Sequence, residues 1–347
     1  MPGLTAAGPT VKPAWKTDVD DYVIRMAFSP SGSLLATACV SGPIHLLDPD
    51  SGQIVRTLPG HAIGTQCLSW SHDGHYLASG GQDGRVRLWN PADGTLLHDL
   101  PAGSPWVEQV AFGPDCNLLV SAAGRCLKLW DTRGECLQTY PEHPSTISDV
   151  QWQHTARFFT TAAYGQLATF KPESSVAVKT FPWQGSILAL AWSPNDNAVA
   201  TGNQDASVHF WYRTSGKDLE MSGYPTKVRE LSWDSGGRYL ATGGSAIVTI
   251  WDCGGKGPAG SRPLQLDGHE TLLTALEFQH RGGLIASGCR DGVVCIWNAR
   301  KTAKLFSDTS VKSSVTQVRW APRDQWLACS SANGIVRLYD APANPER

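Results

Sequence analysis

Eight short apolar segments, most closing on an aromatic residue before a polar one, recur along the chain at nearly constant spacing. They are Leu46-Leu47-Asp48, Leu88-Trp89-Asn90, Leu129-Trp130-Asp131, Thr169-Phe170-Lys171, Phe210-Trp211-Tyr212, Ile250-Trp251-Asp252, Ile296-Trp297-Asn298 and Leu338-Tyr339-Asp340. Their middle residues stand 42, 41, 40, 41, 40, 46 and 42 apart. A fixed period of this length marks a tandem array of one supersecondary unit. A second marker runs in phase: Phe28, Trp70, Phe112, Trp152, Trp192, Trp233, Phe278 and Trp320. Ten of the 14 Trp fall on these two marks, so the Trp excess reports the repeat and not a site.

Each unit holds short strand-like runs parted by turn residues. In the second they are 66–70, 76–79 and 85–89, with a fourth run at 95–100. Strands this short bury a face only when four-stranded sheets stack side by side. The expected architecture is therefore all-β. Composition agrees: 41% hydrophobic and 17% charged residues suffice for a core. Lys plus Arg is 29 against 31 Asp plus Glu, a net charge of −2. That balance argues against non-specific nucleic-acid binding, which needs a broad basic surface. No run approaches the roughly 18 apolar residues of a membrane span. The start, Met1-Pro2-Gly3-Leu4-Thr5, lacks the basic and apolar regions of a secretion signal. The nine Cys are dispersed, with no Cys-x-x-Cys pair, which fits a reducing compartment and a cytoplasmic location.

With Gly60-His61, Ser79, Asp83-Gly84 and Trp89-Asn90 in one unit, and Gly268-His269, Ser287, Asp291-Gly292 and Trp297-Asn298 in another, the chain resembles the WD-repeat family of β-propellers. The resemblance covers about residues 11 to 340. It implies a single propeller of four-stranded antiparallel blades. Eight sets of inner strands imply eight blades; a seven-bladed ring with one unit outside it is the alternative. The last set, 315–339, has no outer strand after it, and residues 11–16 are placed to supply one. N- and C-terminal strands would then share the last blade and remove an exposed sheet edge. Residues 1–10 and 341–347 read as tails, the first of them flexible, and the insert at 253–262 as a flexible loop after the third strand of unit six.

The recurring His, Ser or Thr, Asp and Trp are residue types that could make a catalytic triad. The resemblance instead implies a buried hydrogen-bond network, and buried polar groups need partners. Two units hold the full set: His61, Ser79, Asp83 and Trp89; His269, Ser287, Asp291 and Trp297. The fourth keeps His143 and Thr160; the fifth keeps Thr201, Asp205 and Trp211 with Trp183 at the His position; the sixth has Tyr224 there. No catalytic residue, cofactor or metal is expected. The nearest metal motif, His72-Asp73-Gly74-His75, has no Cys pair with it and reads as a solvated turn.

Function in such a fold lies on its faces or in its channel. In the related β subunits of heterotrimeric G proteins, partner contacts gather six and four residues before the first-strand aromatic and just before the turn Asp. Carried over, these positions nominate Tyr22, Gln66, Gln82, Trp106, Glu108, Gln204, Lys227, Arg229, Leu272 and Arg290 on the narrower, top face. Tyr22, Trp106 and the arginines are the residue types that dominate interface energetics. Lys227, Arg229 and Arg290 would form a cationic patch suited to an acidic peptide or a phosphate. The expected function is a non-enzymatic platform for protein or peptide partners, monomeric or a subunit of a hetero-complex, without a membrane or nucleic-acid partner. The form Trp130-Asp131-Thr132-Arg133 occurs in WD-repeat substrate receptors of cullin ubiquitin ligases, so the rival expectation is a scaffold or receptor subunit of a multiprotein enzyme. A metal-handling or catalytic propeller stands behind both.

Overall fold

Within each repeat the second strand is the most buried and the outermost the least, and residue choice follows it. The second strands, such as Leu35–Cys39, Leu77–Gly81 and Leu118–Ala123, are buried along their whole length. They mix Leu and Val with Ala, Ser and Gly, because both sheet faces are covered at close range. The outer strands, such as Ile54–Leu58 and Leu96–Pro101, are mostly exposed. The computed structural model describes residues 11–342 except 256, 259, 300, 302 and 310. The tail expected at 1–10 lies outside these described residues, as do 343–347.

The strands form eight four-stranded antiparallel sheets, here called blades 1 to 8 in chain order. Seven are sequential. The eighth takes Val315–Trp320, Trp326–Ser331 and Ile335–Asp340 from the end of the chain and Pro13–Asp18 from its start. The shared strand sits two residues later than the expected 11–16. It pairs antiparallel with Lys16 opposite Arg337, and the Asp340 amide also reaches the Lys12 carbonyl. Inner strands Val23–Phe28 and Val315–Trp320 pack together, which closes the ring. The insert at 253–262 lies between the third and fourth strands of blade 6.

The core is divided among the seams between blades. Val23, Leu35 and Leu47 of blade 1 cluster with Ala328, Val336 and Leu338 of blade 8. Cys67, Val86 and Leu88 of blade 2 cluster with Val107, Phe112 and Trp130 of blade 3. Each apolar cluster of the described residues likewise joins neighbouring blades, so no blade is stable alone and the ring is the folding unit.

The first-strand marker also explains itself here. Trp70, Trp152, Trp233 and Trp320 each send their indole N–H back to the preceding blade, onto the carbonyls of Ala27, Ala111, Ala191 and Glu277 at 2.9–3.1 Å. Seven inner strands carry a register shift just above this point, for instance between Val23 and Arg25 and between Val107 and Gln109. Such a bulge re-aims the extra side chain. The extra residue is the one four before the aromatic, among them Gln66, Glu108 and Thr274.

Candidate functional site

In blade 2 the polar quartet is complete and directed. Trp89 Nε1 donates to Ser79 Oγ at 2.9 Å, Ser79 Oγ is 2.9 Å from His61 Nε2, and His61 Nδ1 is 2.8 Å from Asp83 Oδ1. Proton positions follow from the network: the hydroxyl donates to Nε2 and Nδ1–H to the carboxylate. Burial lowers the His61 pKa despite Asp83 and keeps the ring neutral. Gly60 enters the loop at φ 60°, where a Cβ would strike the Gly42 carbonyl, and a Cβ on Gly81 would lie 2.2 Å from the His61 ring. Those glycines make room for the histidine.

The other blades depart from this pattern. In blade 7, His269 and Trp297 both meet Ser287 at 2.7 Å, but Asp291 turns away to Thr271 and the Cys289 thiol. His269 Nδ1 is left buried without a partner, and burial lowers its pKa to about 4. The full match of this quartet in sequence is therefore a partial match in space. In blade 4, His143 bonds Thr161 at 2.9 Å, while the expected Thr160 faces the other way and bonds Thr169. Side chains alternate across a strand, so one residue changes the face. Tyr224 replaces the histidine of blade 6: its hydroxyl receives Trp251 Nε1 at 2.7 Å and lies 2.8 Å from Thr242. In blade 5 Trp183 packs against His209 with ring centroids 3.6 Å apart and planes tilted by 41°, and Thr201 Oγ1 and both His209 nitrogens are buried without hydrogen-bond partners, Asp218 lying 3.9 Å from Nδ1. Asp205 there serves Ser207 instead.

Backbone bonds that sequence spacing does not reveal bring two pairs of nominated residues together, Arg290 with Leu272 and Trp106 with Gln82. The amide before the turn reaches the carbonyl six residues before the aromatic: Gln82 to Gly64, Gln204 to Ser186 and Arg290 to Leu272, each at 3.0 Å. Val40 reaches Tyr22 in the same way. The Trp106 amide crosses from blade 3 to the Gln82 carbonyl of blade 2 at 3.4 Å. Trp106 is 56% exposed and sits at φ 66°, a left-handed conformation costly for a bulky residue. Tyr22 is 42% exposed. Lys227, Arg229, Gln204 and Arg290 are exposed, whereas Gln66, Gln82, Glu108 and Leu272 are half-buried. Glu108 is engaged with the Gly124 amide at 2.9 Å, and burial raises its pKa.

Sequence reasoning passed over the channel on the axis. Inner strands of all eight blades line a cavity of about 520 Å³. Its charged lining residues are Arg25, Asp149, Arg229, Glu230 and Arg319. They occupy positions one, three and four before the aromatic. Nothing in the sequence singled them out, since Glu108, Gln109, Gln151, Glu277 and Gln317 also stand on inner strands. Among the described residues no group of three or more His, Cys, Asp or Glu could hold a metal ion, and His75 pairs only with Asp73, at 3.1 Å. Arg133 lies 2.9 Å from Asp131 in its own turn and is 77% exposed. Among the described residues no helix is long and apolar enough to cross a membrane.

Comparison with known proteins matches residues 22–256 to the family described as the first β-propeller of IFT122, and residues 260–298 and 303–340 to the WD domain, G-β repeat. Pre-mRNA-processing factor 19 of Oryza sativa subsp. japonica is 24% identical over 94% of this chain and 56% of its own length. WD repeat-containing protein slp1 of Schizosaccharomyces pombe is 26% identical over 67% of this chain and 51% of its own. Anaphase-promoting complex subunit cdh1 of Dictyostelium discoideum is 30% identical over 44% of this chain and 20% of its own. The chain thus spans about half the length of the first two relatives. The crystal structure of the computationally designed Ika8 protein shares the fold, with a TM-score of 0.81 at 23% identity over 93% of this chain and 97% of that one.

Proposed function

We propose, from the premise that the chain belongs to the WD-repeat family of β-propellers, that it is a non-catalytic platform binding protein or peptide partners across its top face. One observation carries the reading: Trp106 is held in a strained backbone conformation with more than half its surface in water. Such strain persists where it serves recognition, and exposed aromatics are the anchors of interfaces. Tyr22 adds a second aromatic on the same face. Lys227, Arg229 and Arg290 favour an acidic or phosphorylated segment, because guanidinium forks match carboxylates and phosphates. The quartet of blade 2 supports a structural role, since its His, Ser, Asp and Trp bond one another behind the surface.

A second reading, a scaffold or substrate-receptor subunit of a multiprotein enzyme, draws on the relative named as an anaphase-promoting complex subunit and on the exposed Arg133 after Trp130-Asp131. The nine unpaired cysteines support a cytoplasmic location. The test is affinity purification of the tagged protein from its native cell, then binding of the purified partner to wild type, Trp106→Ala and Lys227→Glu. Each variant is expected to lose about tenfold or more in affinity, about 1.4 kcal/mol. Full affinity in both would place the interface on another face. Loss on Arg133→Ala alone would favour the receptor reading.

A further inference from the structure

We infer that the central channel is a binding site for a phosphate-class oxyanion, gripped by Arg25 with Arg319 and Arg229 around it. This site lies on the axis and shares only Arg229, at its mouth, with the partner surface proposed above. Three arginines face one cavity of about 520 Å³, ample for a phosphate group and its first waters. Their company is unfavourable as it stands. Burial and the neighbouring Arg319 lower the Arg25 pKa, with a further contribution from Arg229 and opposition from Asp149.

The carboxylates on the lining are already committed. Asp149 accepts the Val150 amide at 2.8 Å and the Leu190 amide of the next blade at 2.9 Å. Burial pushes its pKa up to about 6, which weakens it as a counter-ion. Glu230 lies against Gly243 of its own blade, and burial raises its pKa, opposed by its own amide and those of Arg229 and Gly244. Arg319 is held by Glu277 at 3.6 Å and by the Val318 carbonyl at 3.0 Å. Arg25 differs from all of these. Among the described residues no carboxylate lies within ion-pair distance of its guanidinium, and no acceptor meets its N–H groups. A guanidinium presents five donors in a rigid fork, and Arg25, half-buried on the channel wall, keeps them open to a ligand. An oxyanion supplies acceptors and charge together, and low-dielectric walls strengthen the attraction.

The remaining lining supports polar occupancy. Gln109, Gln151 and Gln317 also reach the axis, and each spends one amide atom on a neighbouring blade: Gln109 on the Ser148 carbonyl, Gln151 on the Leu190 carbonyl, Gln317 on the Met26 amide. Gln317, which accepts through Oε1, keeps its Nε2 donors free for an oxyanion, whereas the free Oε1 atoms of Gln109 and Gln151 are acceptors and would meet a ligand only through its water or hydroxyl groups.

The experiment is calorimetric titration of the full chain with inorganic phosphate and with fructose 1,6-bisphosphate, at ionic strength fixed with potassium chloride. Saturable binding to wild type is expected, weakened about tenfold or more by Arg25→Gln. Lys227→Ala with Arg290→Ala, on the rim, is expected to stay within about twofold of wild type. Preference between the two probes tells a free ion from an organic phosphate. Absence of saturable binding by wild type at about 10 mM ligand overturns the proposal, as does undiminished binding by Arg25→Gln. Should that variant fail to fold, Arg25→Lys keeps the charge and loses the fork; affinity equal to wild type would then overturn it. None of these failures bears on the top face, which Trp106 tests separately.

Discussion

His154 Nδ1 lies 3.2 Å from Asp196 Oδ1, and the two belong to different blades. Asp196 also receives the His154 and Thr155 amides at 2.8 and 2.7 Å and the Thr155 hydroxyl at 2.6 Å. Its carboxylate is therefore a clamp across the seam between blades 4 and 5. Asp324 repeats the device between blades 7 and 8, receiving the His280 and Arg281 amides at 2.9 and 2.7 Å with His280 Nδ1 at 3.1 Å.

The clamps give the ring an acid limit. Burial works to raise the Asp196 pKa, but bonds from His154 and Thr155 outweigh it and hold the group at about 2. A depressed carboxyl stabilises the fold above its unfolded pKa, about 3.9, and that contribution is lost as pH falls toward 2. The Asp196 side chain is fully buried, and the contribution amounts to about 2 kcal/mol. Asp196→Asn should lower urea stability at pH 7 and flatten the loss between pH 4 and 2. A steep acid loss persisting in the variant would assign it to other carboxylates.

His280 carries the opposite sign. Its bond with Asp324, opposed by burial and aided by Glu277, raises its pKa. Its stabilisation is fully present below the unfolded value, about 6.5, and fades as pH rises through the folded one. Titration followed by NMR should place the His280 midpoint above that of a peptide histidine. Midpoints for the buried His143 and His269 should fall near 4, where burial puts them.

Asp83 and Asp291 look equivalent in sequence and differ in space. Asp83 holds His61; Asp291 does not reach His269. Asp83→Ala strips a buried imidazole of its acceptor and should cost roughly 1–3 kcal/mol. Asp291→Ala should cost less than half of that by chemical denaturation. Equal costs would mean that Asp291 acts through His269 after all.

Trp106 should separate stability from recognition. Glycine relaxes its φ of 66° without strain, so Trp106→Gly should leave stability within about 1 kcal/mol of wild type or improve it. Partner affinity should still fall. A large drop in melting temperature would show that the indole is packing and not an anchor.

The ring was legible in the sequence because the repeat marks are packing necessities. The Trp of the first strand ties each even-numbered blade to the one before, and the middle residue of the third-strand mark fills a seam. The quartet was legible only as residue types. Thr160 and Thr161 are adjacent and chemically alike, yet the strand's alternation gives the role to Thr161. Asp291 keeps its motif position, but the Cys289 thiol and Thr271 hydroxyl compete for it. The channel stayed hidden because Arg25, Asp149 and Arg319 lie far apart along the chain and meet only through closure. Polar residues such as Glu108 and Glu277 stand on the same inner strands, so composition did not single out those that face the axis.

Closure by the first strand is what every other statement rests on, and hydrogen exchange reads it directly. Followed by mass spectrometry, peptides spanning residues 13–18 should exchange as slowly as those from Ile335–Asp340, the strand they pair with. Exchange of residues 13–18 at the rate of an unstructured peptide, with slow exchange elsewhere, would contradict a ring closed by the two ends of the chain.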